Sequence, residues 1–476
     1  MMKKFKRNTY RLFFALLGFT TTSCMVGPNY HTPKVAVSEN YTESPLDAKE
    51  NSSLQDWWTT FNDEKLNSLI EIGIKNNYNL KIAIEKIEQA RSFYRLKRAD
   101  LFPEINMNAA AIRQKLSRNE AISSYIPLTI YNNFQIGFDA LWEIDIFGKI
   151  RREKQSALFS MQSKQENMRN VYISLLSEIS KNHMDLIALN QTIKLEEEKI
   201  QLQQTIYNLT KDLKQTGIDS SIAEENELAS LKLSQARIKA YQTLFKQTAY
   251  RLAYLLGMQP EKIQIQEYNE LTLPDATQKI QPGMPSTLLQ NRPDIRMAER
   301  NLAQATAQVG SAIADFFPRF SLTGDSLYDS KTLNNLFEKN SFNWSLGSFL
   351  KWPIIHFGRI RANVDVQKSI QKQALLTYEN TIIEALQDVE GALVAYYNEK
   401  IKLSEIEQEV TAIEKSTTLL HDQYASGLIS YPKYLKQKKI LLDTQLQEID
   451  SKRNLLNNLI AVYKVLGGSN WENCQK

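Results

Sequence analysis

The feature that most constrains this chain is a change of period near residue 147. From Asn133 to Ile144 apolar and polar residues alternate, with Phe134, Ile136, Phe138, Ala140, Trp142 and Ile144 on one side. Asn133, Gln135, Gly137, Asp139, Leu141 and Glu143 occupy the other. A period of two is a β-strand with one apolar and one polar face. It has about the ten residues a tilted strand needs to cross a bilayer, and Trp142 near its end suits an interfacial aromatic girdle. Phe147-Gly148-Lys149-Ile150-Arg151 then opens a run without Gly or Pro as far as Thr216. As one helix that run would extend ~100 Å at about 1.5 Å per residue, far more than a globular core requires.

The pattern is written twice. Asp100-Leu101-Phe102-Pro103 recurs 215 positions on as Asp315-Phe316-Phe317-Pro318, and Gln89-Ala90 recurs as Gln304-Ala305. Beyond the strands the offset becomes 210: Phe147-Gly148-Lys149-Ile150-Arg151 matches Phe357-Gly358-Arg359-Ile360-Arg361, Thr216-Gly217 matches Ser426-Gly427, and Leu256-Gly257 matches Leu466-Gly467. The change of offset falls between the two strands of the unit, in a hairpin loop where length varies at little cost. The expected fold is therefore mainly α with a small membrane β part, built from a duplicated unit of helix, strand, strand and long helical hairpin. The first repeat covers 54–275, with strands at about 104–113 and 132–144 and a hairpin over 149–256. The second covers 276–476, with strands at about 317–328 and 342–352 and a hairpin over 358–466. In the first, one helix is expected from Leu66 to Asp100, ended by Pro103, and a polar loop from Gln114 to Ile130.

Leu186, Ile193, Ile200 and Tyr207 recur every seven residues, and so do Leu195, Leu202 and Leu209. The two seams lie roughly 200° apart around a helix, so a neighbour is needed on each side. A plain two-stranded coiled coil would carry one seam. Four membrane strands per chain fall short of the eight or so that the smallest bacterial barrels use, and open strand edges in lipid cost several kcal/mol each. The chain is thus expected to oligomerise, and two, three or four copies all give an even-stranded closed barrel.

The amino terminus carries Lys3, Lys4, Lys6, Arg7 and Arg11, then apolar residues from Leu12 to Phe19, then Thr20-Thr21-Thr22-Ser23-Cys24. This reads as an export signal over 1–23, with Cys24 as a lipidated first residue, although Thr21 stands where a Leu is usual. An ordinary signal peptide is the alternative. Residues 24–53, with Pro28, Pro33 and Pro45, read as an extended lipid-anchored tether. The chain has 58 basic and 53 acidic residues, and five of the basic ones lie in the leader with no acidic one, so the remainder is balanced and carries no electrostatic footprint for nucleic acid. Cys474 is the only other cysteine, and His31, His183, His356 and His421 stand singly as surface or packing residues. No metal spacing, phosphate-cradling Gly loop or nucleophile motif is present, so no cofactor, metal or catalytic residue is expected. Glu196, Glu197 and Glu198 read as solvated helix surface.

Cys24-Met25-Val26-Gly27-Pro28-Asn29-Tyr30, Trp57-Trp58-Thr59-Thr60-Phe61, the two Phe-Pro strand starts, the paired Phe-Gly-(Lys/Arg)-Ile-Arg exits and Asn291-Arg292-Pro293-Asp294-Ile295 together resemble the outer-membrane factors of bacterial multidrug efflux, the OprM and NodT branch of the TolC-like family. The resemblance covers essentially the whole chain after the leader. It implies an outer-membrane homotrimer with a twelve-stranded barrel, continuous with a twelve-helix periplasmic tunnel. It also implies a passive exit channel fed by a periplasmic adaptor and an inner-membrane pump of the resistance-nodulation-division class, and no enzyme activity. Phe134, Phe138, Trp142, Trp344 and Trp352 are then the lipid-facing strand anchors. Unlipidated relatives of the same fold serve protein secretion, and Cys24 favours efflux over that reading; a periplasmic coiled-coil lipoprotein without a channel would have no need of two-faced strands.

In that family the hairpin tips dock the adaptor, and two aspartates beyond the second tip help close the tunnel. Here the tips fall at Thr216-Gly217-Ile218-Asp219 and Ser426-Gly427-Leu428-Ile429, and the positions six and nine after Gly427 are Lys433 and Lys436. Glu224, Glu225 and Asp219 are the candidate countercharges, and solvated lysines without a gating role are the competing reading.

Overall fold

The computed structural model describes residues 25–36, 38, 41–42, 56–115, 117, 130–275 and 285–468. Cys24, Cys474 and most of the 114–130 loop lie outside the described residues. The first repeat contains helices α1 (Glu64–Asn76) and α2 (Tyr78–Ala99), strands β1 (Glu104–Lys115) and β2 (Ile130–Ile144), and helices α3 (Lys149–Gln215) and α4 (Ser221–Leu255). The second contains α5 (Pro285–Asn291), α6 (Pro293–Ala314), β3 (Arg319–Ser330), β4 (Phe342–Lys351), α7 (Arg359–Ala425) and α8 (Tyr431–Val465). The duplication is close to element for element. Both α2 and α6 have 22 residues, both α3 and α7 have 67, and both α4 and α8 have 35. None of the described helices is long and apolar enough to cross a membrane.

The single helix expected over Leu66–Asp100 is two. Asn77 breaks it at φ −58°, ψ 125°. Its side chain caps the next helix by accepting from Leu80 N at 3.0 Å, while its Nδ2 donates to the Leu255 carbonyl at 2.8 Å. Asn favours such local capping over helix continuation, a preference that apolar periodicity does not register. The second repeat makes the same break with other chemistry. Arg292 stands where Asn77 does; it donates to the Val465 carbonyl at 3.3 Å and binds Asp294 at 2.6 Å and Asp388 at 3.0 Å. Pro293 begins the following helix, where its missing N–H costs nothing.

The chain divides into two compact units that run across the repeats: residues 1–34, 86–164 and 298–378 in one, and 35–85, 165–297 and 379–476 in the other. The first unit holds the whole antiparallel sheet, in the order β1-β2-β3-β4, and Ile150, Leu302, Val309, Ile360 and Val364 are buried in the same unit. In the second unit Trp57 stacks on Tyr463 at 5.1 Å and meets Trp58 and Phe61 edge-on. Leu66, Ile70, Leu176, Ile179, Leu186 and Leu459 are buried in the same unit.

Of the two heptad seams on α3, Leu195, Leu202 and Leu209 pack with Leu435 and Leu442 of α8. In the other seam Leu186 is buried while Ile193, Ile200 and Tyr207 are half-buried within one chain. The expectation that Glu196 is solvated is wrong: it is 1% exposed, with Lys199 buried 3.8 Å away. Lys199 in turn binds Asp443 at 2.5 Å. Glu197 and Glu198 are exposed, as their charge suggests. A helix with more than one packed face turns part of a charge run inward, and charge pattern alone does not reveal which part.

Candidate functional site

The sheet sorts its residues as the alternation requires. Met107 of β1 lies opposite Phe138 of β2, which lies opposite Ser326 of β3, which lies opposite Trp344 of β4. Met107, Phe138 and Trp344 are all exposed, so this apolar row has no protein cover within one chain. One position along, the other face carries Asn106, Asp139, Asp325 and Ser345 in register. Asn106 and Asn108 both donate to the Asp139 carboxylate, Ser345 donates to Asp325, and Gln135 donates to Asp329 at 3.2 Å. Leu141 and Phe349 also lie on this second face, so it is mixed rather than wholly polar.

The tryptophans near the strand ends repeat one contact. Trp142 Nε1 donates to the Leu101 carbonyl at 3.0 Å, and Trp352 Nε1, one residue beyond β4, donates to the Phe316 carbonyl at 3.0 Å. Each ring thus clips the end of one strand to the start of its hairpin partner. Trp344 sits inside β4, and Phe134 is half-buried.

At the exit from β2 the chain turns through Gly148 at φ +81°, a conformation in which a side chain is strained. Phe147 stacks on Phe317 at 4.6 Å. Lys149 and Arg319 each bind the Asp315 carboxylate at 2.6 Å. Burial alone would raise the Asp315 pKa, and those two cations bring it below the ordinary value. The segment after Cys24 is fastened at the same place. Val26 N donates to the Phe147 carbonyl at 3.1 Å, and a Cβ on Gly148 would fall 2.4 Å from the Met25 side chain.

Arg152, fully buried, donates to the carbonyls of Val26 and Gly27 at 3.1 Å, to the Asn29 side chain at 3.0 Å and to Gln155 at 3.0 Å. Among the described residues no carboxylate neutralises it, and burial lowers its pKa from the usual guanidinium value. Gly27 in turn sits so close to Gly310 that an added Cβ would lie 2.5 Å from its Cα. Arg152 and Gly310 do not stand out by sequence reasoning. The available signal is a glycine in the interior of α6, which costs helix stability unless something must approach it.

The hairpin tips are alike. Gly217 at φ +78° and Gly427 at φ +73° end α3 and α7, and the amides of Ile218 and Leu428 each donate back to a carbonyl five residues earlier, at 2.9 Å. Thr216 Oγ1 donates to the Leu213 carbonyl at 2.9 Å, and Ser426 Oγ donates to the Asp422 carbonyl at 2.9 Å. Ser220 caps α4 by accepting from Ala223 N, and Asp219 accepts from Ser220 N. Ile218, Ile222 and Leu428 are each about three-quarters exposed.

Lys433 and Lys436 are exposed on α8 near Tyr424, Tyr431 and Tyr434, which stack on one another. Within one chain Glu224 is bound to Lys214 at 2.5 Å, and among the described residues neither Glu225 nor Asp219 bonds to either lysine. Lys214 lies ten residues from Glu224, across the turn.

His183, expected to be a surface or packing residue, is buried in the second unit in a three-residue chain. Its Nε2 lies 2.8 Å from Asp63 Oδ2 and its Nδ1 lies 3.1 Å from Tyr268 OH. Burial pushes the Tyr268 phenol up, so it remains a donor; it donates to Nδ1 when Nε2–H donates to Asp63. Burial would raise Asp63, but the His183 hydrogen bond and the Leu66 and Lys65 amides bring it below 3.8.

The outer membrane efflux protein family model matches residues 69–258 and 284–468. The chain is 28% identical to the probable efflux pump outer membrane protein TtgC of Pseudomonas putida, over 97% of this chain and 96% of that protein. It is 27% identical to the cation efflux system protein CusC of Escherichia coli, over 94% and 96% respectively. Among solved structures, the outer-membrane channel OprN superposes with a TM-score of 0.84 at 27% identity, covering 94% of this chain and 99% of that one. The open state of the Neisseria gonorrhoeae MtrE outer membrane channel gives 0.79 at 25% identity, covering 94% and 98%.

Proposed function

Because this chain belongs to the outer membrane efflux protein family, we propose that it is the outer-membrane exit channel of a tripartite efflux system. It conducts small molecules passively, with no catalytic step. The observation that carries this reading is the four-stranded sheet with one uncovered apolar face, one mixed face that carries Asn, Asp and Gln side chains in register, and two unpaired edges. A lipid-facing wall around an aqueous lumen needs that arrangement, and closure removes the edges. The family resemblance makes the assembly a homotrimer, in which three copies of four strands give a twelve-stranded barrel. The lumen continues between the helical hairpins, whose two partly separate seams supply a neighbour on each side.

The exposed Ile218, Ile222 and Leu428 form apolar tips suited to a periplasmic adaptor, which couples the channel to an inner-membrane pump of the resistance-nodulation-division class. Cys24 carries the lipid. Met25 and Val26, directly after it, are held at the Phe147-Gly148 turn where β2 ends, which supports an anchor at the membrane face of the strands. Purified protein in planar bilayers should give a stable ohmic conductance, and deleting the gene should sensitise cells to pump substrates. A protein that inserts but never conducts would overturn the channel reading.

A further inference from the structure

At the foot of the second hairpin two cations face each other. Arg319, which opens β3, lies directly opposite Lys351, which closes β4, and both are exposed. Like charges at such positions, with Cβ atoms about 4.5–5.5 Å apart, destabilise a strand pair. An anion between them turns the repulsion into attraction. Arg359, the first residue of α7, brings a third cation to the same cavity of about 450 Å³, which Asn363 and Asp315 also line. Asp315 is already held by Lys149 and Arg319. Lys351 and Arg359 have no ion pair among the described residues.

The first repeat has the matching cavity, of about 660 Å³, with its charge reversed. Asp100, Glu104, Glu143, Glu153 and Lys149 line it, and Arg319 reaches it from β3. By the repeat offsets Glu104 stands where Arg319 does, Leu141 where Lys351 does and Glu153 where Asn363 does. Four carboxylates meet two cations in the first cavity, and three cations meet one carboxylate in the second. The strand-to-helix turn is built alike in both repeats, with Gly148 at φ +81° and Gly358 at φ +80°. The backbone therefore does not demand the positive cluster. Cations that the fold does not need, and leaves short of carboxylates, point to an anion from outside the chain.

Register fixes the face. Arg319 and Lys351 are each six residues from Asp325 and Ser345, which oppose each other farther along the same strands, so all four side chains share one face. In the channel that face lines the lumen, and a lipid phosphate would lie on the other side. Resting on the channel reading above, we propose that this cavity is an anion-binding site in the lumen wall, where Lys351 and Arg359 bind the carboxylate or phosphate group of a solute in passage. A guanidinium fork beside an ammonium point charge suits such an oxyanion. The acidic cavity of the first repeat repels the same group, so each chain takes the solute at one of two matching positions. Exposed charges bind weakly and are screened by salt, and weak binding lets a solute leave as well as enter.

The test uses the full chain purified in detergent, with pyrophosphate as the probe and isothermal titration calorimetry at low salt as the readout. Pyrophosphate should bind. Lys351→Gln should weaken that binding about tenfold, the scale of one charge-assisted hydrogen bond, and Lys351→Arg should retain it. Arg359→Gln reads the same cavity from the helix side, should Lys351→Gln assemble poorly. Pyrophosphate binding that is absent, or equal in wild type and both Gln variants, overturns the site. Dihexanoylphosphatidylglycerol should give no heat that depends on Lys351; a Lys351-dependent heat as large as that of pyrophosphate assigns the cavity to a lipid headgroup and overturns the solute reading. In planar bilayers pyrophosphate should reduce the conductance of the wild type more than that of Lys351→Gln. Binding with no effect on conductance overturns the lumenal placement. A protein that binds pyrophosphate through Lys351 and never conducts overturns the channel reading and leaves the anion site in place.

Discussion

Phe138 and Asp139 are adjacent in sequence and face opposite environments. Phe138 stands uncovered in the apolar row, and Asp139 accepts from Asn106 and Asn108 on the other face. Phe138→Arg should cost ~2–4 kcal/mol per chain near the bilayer midplane and reduce the amount of assembled protein, whereas Asp139→Asn should leave assembly intact and change conductance. Heat-modifiability gels and single-channel recording separate the two, and equal assembly defects would mean the faces are exchanged. Asp63 supports a pH prediction in the second unit. Its folded pKa is depressed, so its stabilisation is present above the ordinary value of 3.8 and disappears as pH falls through the folded one. His183→Ala should therefore lower stability at neutral pH by about 2–3 kcal/mol, the scale of a hydrogen bond to a charged group. Thermal melts of solubilised protein should show the gap between wild type and Asp63→Asn closing as pH drops below 3.8.

The long helices depend on how they are ended. Gly217 and Gly148 are both left-handed, but an added Cβ meets nothing at Gly217 and meets Met25 at 2.4 Å at Gly148. Gly217→Ala should carry only the conformational penalty, about 1 kcal/mol. Gly148→Ala should cost more and should also release residues 25–29, read as faster proteolysis of the amino-terminal segment. The second tip carries the charge question. Lys433 and Lys436 are exposed and have no carboxylate partner among the described residues, so in an assembly they add positive charge near the tip. Lys433→Asp with Lys436→Asp should shift bilayer selectivity toward cations and introduce block by divalent metal. Each exposed charge pair contributes no more than ~1 kcal/mol, but symmetry multiplies the effect. Unchanged selectivity would place the lysines on the outer surface of the tip.

At the scale of the whole molecule, the proposed function gives the chain two attachments to the membrane. In the proposed channel the barrel holds the chain through its strands, and the acyl chains proposed on Cys24 would add a second anchor next to Met25 and Val26, which are fastened beside Gly148. Cys24→Ser should yield protein without lipid that still forms trimers, because the strands alone remove the unpaired edges. Mass spectrometry of the mature amino terminus reads the first, and native mass spectrometry the second. An unmodified Cys24 in the wild type would refute the anchor.

Features set by local period are legible from the residues alone. Alternation marked β2 and its two faces, the Gly- and Pro-free runs marked α3 and α7, the glycines marked the hairpin tips, and the 215 and 210 offsets marked the duplication. Each is legible because a strand, a helix and a tight turn impose their own spacing on neighbouring residues. Other features depend on partners far away in sequence and emerge only in the folded chain. Asn77 breaks a helix because Leu255 offers it a carbonyl, Arg152 is buried because residues 26–29 fold over it, and Glu196 turns inward because α8 supplies Asp443 beside Lys199. Glu224, a candidate countercharge for Lys433 in the assembly, is held within the chain by Lys214 ten residues away. A residue's type limits which bonds it can make, but only the fold brings the partner within the 3 Å or so at which a bond forms.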